Sequence, residues 1–233
     1  MSRTRTRPPT SVAAVLQGKL GKVKRSEDLL TAIAFGTLAW MPMSLGLGRV
    51  LGSMSPKPTW TDTMVSVSIE LWPWWNEAEN QSGAEPDVVL TLERTVGAPV
   101  LLVVECKRGS SLGHQQLLRQ AASGQVIAKQ RGLHFGGLIY LTEHVGEPTS
   151  ELMSAKAELR EHLADAPPVW WVSWRDLGPV FDGAARQLEA TTPMLAAACE
   201  DAAACLRRWG IVRYQGLDQP LVVPGWTFAQ EAQ

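Results

Sequence analysis

The sequence predicts an α/β domain: a mixed central β-sheet of about five strands flanked by helices. Three observations carry this. Val100–Glu105 is an uninterrupted apolar run closed by a carboxylate, the pattern of a strand buried on both faces. Val65–Leu71 alternates apolar and polar residues with period two, the pattern of a half-buried strand. From residue 112 onward, helical patterns alternate with short apolar runs, as in strand–helix–strand units.

Taken in order, residues 1–20 read as a basic flexible lead with a short helix around Val12–Leu20. Residues 21–233 read as a single domain with a C-terminal helical extension. Ser26-Glu27-Asp28 resembles an N-cap with acidic first-turn residues, so a helix is expected from Glu27 to Met41, where Pro42 stops it. Residues 42–60 are rich in Gly, Pro and Ser and read as loop, with a short helix around Gly48. The first strand is followed by the turn-rich stretch WPWWNEAENQSG. Val88–Leu92 makes a second strand and RTVGAP turns it into the third, Val100–Cys106. Leu112–Lys129 is a helix with Leu117, Leu118 and Ala121 inward, and Gly136–Leu141 a fourth strand. Ser150–Ala164 is amphipathic, Val169–Ser173 is a fifth strand, and Trp174–Leu177 leads into helix again. Leu188–Trp209 reads as a final long helix with a break or new start at Thr191-Thr192-Pro193.

Composition narrows the function classes. Hydrophobic residues make up 45% and charged ones 19%, so a sizeable core is expected and wholesale disorder is not. The net charge of −1 hides an asymmetry: seven basic residues and no acidic one precede Glu27, and the remaining 15 basic and 23 acidic residues leave −8. A basic arm on an acidic body suits a polyanion partner, and equally a solubilising terminus. Cys106, Cys199 and Cys205 are odd in number and lack CxxC spacing, which fits a reducing, cytoplasmic compartment. His114, His134, His144 and His162 never pair at metal-ligand spacing near a cysteine, so zinc is not expected. Residues 29–48 carry no charge, but Pro42 and three glycines interrupt them, so no membrane span is expected.

The chemistry gathers around the third strand. In a strand, residues i and i+2 share a face, so Glu105 and Lys107 project together while Cys106 points into apolar surroundings. The neighbouring strand opens with Glu85-Pro86-Asp87, where Pro86 marks a strand start. If Asp87 and Glu105 sit on adjacent strands, their carboxylates meet beside Lys107. Two such carboxylates repel unless a cation lies between them, and oxygen-only ligands favour Mg²⁺ (or Mn²⁺). Such an ion stabilises charge on a phosphate, with Lys107 orienting water or neutralising the developing charge.

Pro86-Asp87 followed by Glu105-Cys106-Lys107 resembles the PD-(D/E)XK nuclease superfamily, over about residues 22–180. The resemblance implies a restriction-endonuclease-like core and a magnesium-dependent endonuclease that hydrolyses phosphodiester bonds, with DNA the expected substrate. It implies Asp87 and Glu105 as metal ligands, Lys107 as the catalytic lysine, and Glu27 on the first helix as a further acidic residue at the metal. A glutamine on the following helix is matched by HQQLLRQ, with Gln115, Gln116 and Gln120 available and Gln116 the best fit. A tyrosine that one subgroup carries four residues after its glutamine is Gln120 here. Members of this kind serve prokaryotic antiviral defence or DNA processing. With no DNA-reading module evident, a targeting partner protein or homo-oligomer is implied. The alternative is a catalytically inactive nuclease-fold scaffold in a multiprotein complex. A plainer reading of the motif residues has Asp87 capping a turn and Glu105 and Lys107 forming a rim salt bridge. Trp72, Trp74 and Trp75 could stack on bases or anchor a protein, but such a cluster more often fills a local core. Arg108, Arg119, Lys129 and Arg131 could contact phosphate or simply form a solvated face, and His114 could assist the site.

Overall fold

A computed structural model describes residues 27–75, 84–110, 112–113 and 115–213. The basic lead, the helix expected over Val12–Leu20, the Ser26 cap and His114 lie outside these residues.

Among the described residues, six α-helices and five strands follow in the order α1 (Glu27–Leu38), α2 (Leu47–Gly52), β1 (Met64–Leu71), β2 (Val88–Arg94), β3 (Val100–Lys107), α3 (Gln116–Arg131), β4 (His134–Thr142), α4 (Thr149–His162), β5 (Val169–Ser173), α5 (Trp174–Leu188) and α6 (Pro193–Arg208). The strands form one open mixed sheet in sequence order. β1, β2 and β3 are antiparallel, and β3, β4 and β5 are parallel. The α/β class and the mixed five-strand sheet expected from the sequence are therefore present.

β3 is central, and its alternating side chains feed two cores. Val100, Leu102, Val104 and Cys106 face one layer, built from α1, α2, α5 and α6. Leu101 and Val103 face the other, built from α3 and α4. This explains the unbroken apolar run, since both faces of the strand are covered. β1 lies at the sheet edge. Val67, Ile69 and Leu71 pack against the first core while Ser66 and Ser68 stay exposed, as the period-two pattern requires; Val65 departs from it, exposed where the register shifts between Met64 and Ser66.

α1 stops at Leu38, three residues short of the expected end. The Trp40 and Met41 amides reach only three residues back, to Thr37 and Leu38, and the Thr37 hydroxyl bonds the Ile33 carbonyl at 2.8 Å. The uncharged run 29–48 is thus all but the first two residues of a 12-residue helix, a turn and the start of another helix. A Cβ at Gly48 would lie 2.5 Å from the Met43 carbonyl oxygen, so the turn depends on glycine. Among the described residues no helix is long and apolar enough to cross a membrane.

The helix expected after Trp174 is α5, which follows β5 directly and ends at Leu188, and the final helix starts anew at Pro193, at the expected break. α5 is capped by Ser173, whose hydroxyl accepts from the Arg175 amide while Asp176 reaches back to the Ser173 amide. α6 restarts with Pro193 in its first turn.

Candidate active site

β3 ends at the centre of the sheet with Glu105, Cys106 and Lys107. Cys106 is buried toward α1, and Glu105 points to the α3 side with only 1% of its surface exposed. A carboxylate so placed needs donors. The Lys107 ammonium and the Gln116 side-chain amide both reach Oε1, and the Gln120 amide donates to Oε2. Gln116 and Gln120 are four residues apart on α3, which places both on the face toward β3. Gln115 stands just before the helix with φ 54°, outside this arrangement. The helix therefore starts at Gln116 and not at Leu112 as the apolar pattern suggests.

Asp87 immediately precedes β2. Val88 pairs with Val104, so the same register carried one residue further sets Asp87 opposite Glu105. The Asp87 Oδ2 accepts the Cys106 amide at 2.8 Å, and its carbonyl accepts the Trp72 amide at 3.0 Å. Both bonds fix Asp87 across the end of the hairpin. Glu27, the first residue of α1, accepts the Arg108 amide from the residue after Lys107. The Lys107 backbone is held in turn by the Trp174 indole, which donates to its carbonyl at 3.3 Å.

The electrostatics follow from crowding acids at a buried strand end. Burial, and then repulsion from Asp87, push Glu105 up to about 7 against the pull of Lys107. Burial raises Asp87, opposed by the Cys106 amide and by Lys107. Burial also raises Glu27, with Lys107 and the Arg108 amide opposing. Burial works against the Lys107 charge, but Glu105, Glu27 and Asp87 outweigh it and hold the ammonium above its ordinary range. Three carboxyl groups thus face one ammonium. Among the described residues, no group of three or more His, Cys, Asp or Glu side chains forms a ready metal cage. The donors present are carboxylate oxygens with excess negative charge. That set suits a hard divalent ion, which needs only one or two protein carboxylates and keeps its waters.

The residues expected from the sequence, Asp87, Glu105, Lys107, Gln116 and Glu27, are brought together. Glu105 is buried, so its pairing with Lys107 is not a rim salt bridge. Two of the suggested phosphate-binding arginines are engaged elsewhere. Arg108 lies over the Trp209 ring at 5.3 Å and pairs with Glu143 at 3.6 Å, and Arg131 pairs with Glu70 at 2.8 Å. Sequence reasoning gave Gln120 no separate role, although its spacing from Gln116 implies a shared face. Glu151 on α4 was missed altogether. It accepts the Leu112 amide at 2.8 Å and the Tyr140 hydroxyl at 3.0 Å, clamping the loop between β3 and α3. No local motif marks it. Beside the cluster lies a cleft of about 500 Å³ lined by Lys107, Gly109, Ser110, Thr142, His144 and Glu151. It opens at the carboxyl ends of the parallel strands, where open α/β sheets commonly take ligands.

Compared with protein-family models, with curated proteins and with solved structures, the chain matches none.

Proposed function

We propose that this protein is a metal-dependent nuclease of the PD-(D/E)XK superfamily, built on a restriction-endonuclease-like core, that hydrolyses phosphodiester bonds in DNA. The observation that carries the reading is the convergence of Asp87, Glu105 and Lys107 at the buried end of β3, with Glu27 arriving from α1 and Gln116 from α3. The order of elements from α1 to β4 supports the same core.

Mg²⁺ (or Mn²⁺), held by Asp87 and Glu105 with Glu27 beside it, would neutralise phosphate charge and polarise water. Lys107 is kept protonated by its three acidic neighbours. Its ammonium hydrogen-bonds the attacking water or the phosphoryl oxygens as negative charge builds there. Gln116 and Gln120 fix the Glu105 carboxylate, so it need not reorganise during the reaction. Water attacks phosphorus, the P–O bond to the leaving oxygen breaks, and a proton ends on that oxygen. A cytoplasmic role in prokaryotic antiviral defence or DNA processing, with targeting by a partner protein or a second copy, completes the reading.

The purified chain with Mg²⁺ or Mn²⁺ is expected to nick supercoiled plasmid, and Lys107→Ala to abolish nicking while the protein stays folded. Nicking that survives Lys107→Ala removes the mechanism. No nicking with any divalent ion favours the non-catalytic scaffold, a reading to which the −8 charge of residues 27–233 lends support.

A further inference from the structure

The WPWW stretch divides three ways. Trp75 is 3% exposed and sits in the core beneath α3. Trp72 is half-buried, and Trp74 is 59% exposed. The backbone that carries the exposed indole is held on both sides. Trp72 donates its amide to the Asp87 carbonyl at 3.0 Å, and Trp75 donates its amide to the Ala84 carbonyl at 3.0 Å. Trp72 also adopts φ 47°, a left-handed conformation that bulky side chains rarely accept. Such strain persists where surrounding contacts impose it, and here it turns the chain out of the sheet beside Asp87. Two residues of chain span at most about 7 Å. Trp74 therefore stands at the same end of the sheet as the carboxylates.

We infer that Trp74 is a stacking platform for an unpaired base of the nucleic acid whose phosphate lies at Asp87, Glu105 and Lys107. The inference rests on the nuclease reading and adds to it the substrate class, single-stranded or locally opened DNA. An aromatic ring presented by a fixed backbone loses little freedom when a base stacks on it. Stacking also suits a body with 15 basic and 23 acidic residues beyond position 26, which attracts phosphate weakly through charge alone. A base inside a duplex cannot offer its face to an indole. The platform therefore discriminates by strandedness and not by sequence.

The test is fluorescence anisotropy of labelled oligothymidine of about 16 nucleotides, and of a blunt duplex of the same length, titrated with the full chain in EDTA. Trp74→Ala is expected to weaken single-strand binding about tenfold and leave duplex binding within about twofold, while Trp74→Phe retains most of the affinity. Trp40, 80% exposed at the far end of α1, is the control, and Trp40→Ala is expected to change neither. The inference falls if Trp74→Ala changes neither affinity or both equally, if Trp40→Ala has the same effect, or if the wild type binds neither probe. Plasmid nicking scored in parallel separates the two ideas. Nicking with no Trp74 dependence leaves the nuclease and removes the platform. Trp74-dependent single-strand binding without nicking leaves the platform and removes the nuclease.

Discussion

Lys107 lays its ammonium on the carboxylate of Glu105, two positions earlier in the same strand, at the one end of β3 where Asp87 and Glu27 also arrive. The pair is neither a surface decoration nor a closed ion pair. Glu105 is buried, while Lys107 keeps 13% of its side chain at the cleft. The acids outnumber the ammonium, and that imbalance sets how the protein should respond to cations and protons.

A divalent cation bound in the fold and not in the unfolded chain raises stability by mass action, about 2.7 kcal/mol at a hundred times its dissociation constant. Saturating Mg²⁺ is expected to raise the melting temperature by about 5 °C or more, with EDTA reversing the shift. Asp87→Asn is expected to remove the shift. Calorimetry at slightly alkaline pH checks this, and an unshifted wild type argues against the ion.

Proton linkage gives a separate signature. Glu105 sits at about 7 in the fold against an ordinary 4.5, so the folded state holds the proton more tightly. Its contribution to stability is full below about pH 4.5, fades as pH rises, and is gone above about 7. Asp87 and Glu27, also raised, act in the same direction. Without metal, Glu105→Gln should gain stability relative to wild type between about pH 5 and 8, by roughly 3 kcal/mol from the size of the shift. Melting curves across that range measure it; a difference independent of pH contradicts the assignment.

The two glutamines should separate by burial. Gln120 is 3% exposed, and Gln120→Ala leaves Glu105 Oε2 without its amide donor. The expected cost is about 1–3 kcal/mol in denaturant unfolding. Gln116 is only half-buried, so Gln116→Ala should destabilise less. Both should slow plasmid nicking by about 10–100-fold, because each orients the same carboxylate.

Gly136 tests the sheet without touching the site. A Cβ there would meet Val100 Cγ1 at 2.4 Å and Leu102 Cδ2 at 2.8 Å. Gly136→Ala should cost about 1–3 kcal/mol through overpacking and leave nicking per folded molecule unchanged.

Much of this arrangement is legible in the residues themselves. The apolar run of β3 declares burial on both faces, and the i, i+2 spacing of Glu105 and Lys107 declares a shared direction. The hairpin RTVGAP sets the register that puts Asp87 across from Glu105. What stays hidden depends on distant contacts. β4 begins at His134, ahead of the expected Gly136, because His134 and Phe135 pair with Val100 and Leu101 of the distant strand β3. α3 begins late because Gln115 takes a left-handed turn that no periodicity reveals. Glu151 is invisible beforehand, since its partners Leu112 and Tyr140 lie 39 and 11 residues away.

That last contact is one of those that bound how small a working fragment can be. The polar cluster itself ends at Gln120, so a chain cut shortly after α3 would retain every group proposed to touch the phosphate. It would lose the carboxylate that tethers Leu112, and with it the Tyr140–Glu151 brace spanning two successive crossovers. A unit able to hold the proposed centre must therefore extend past α4 to α5, whose Trp174 holds the Lys107 carbonyl, and substitutions on the outer helix α4 can disturb groups that lie on other elements.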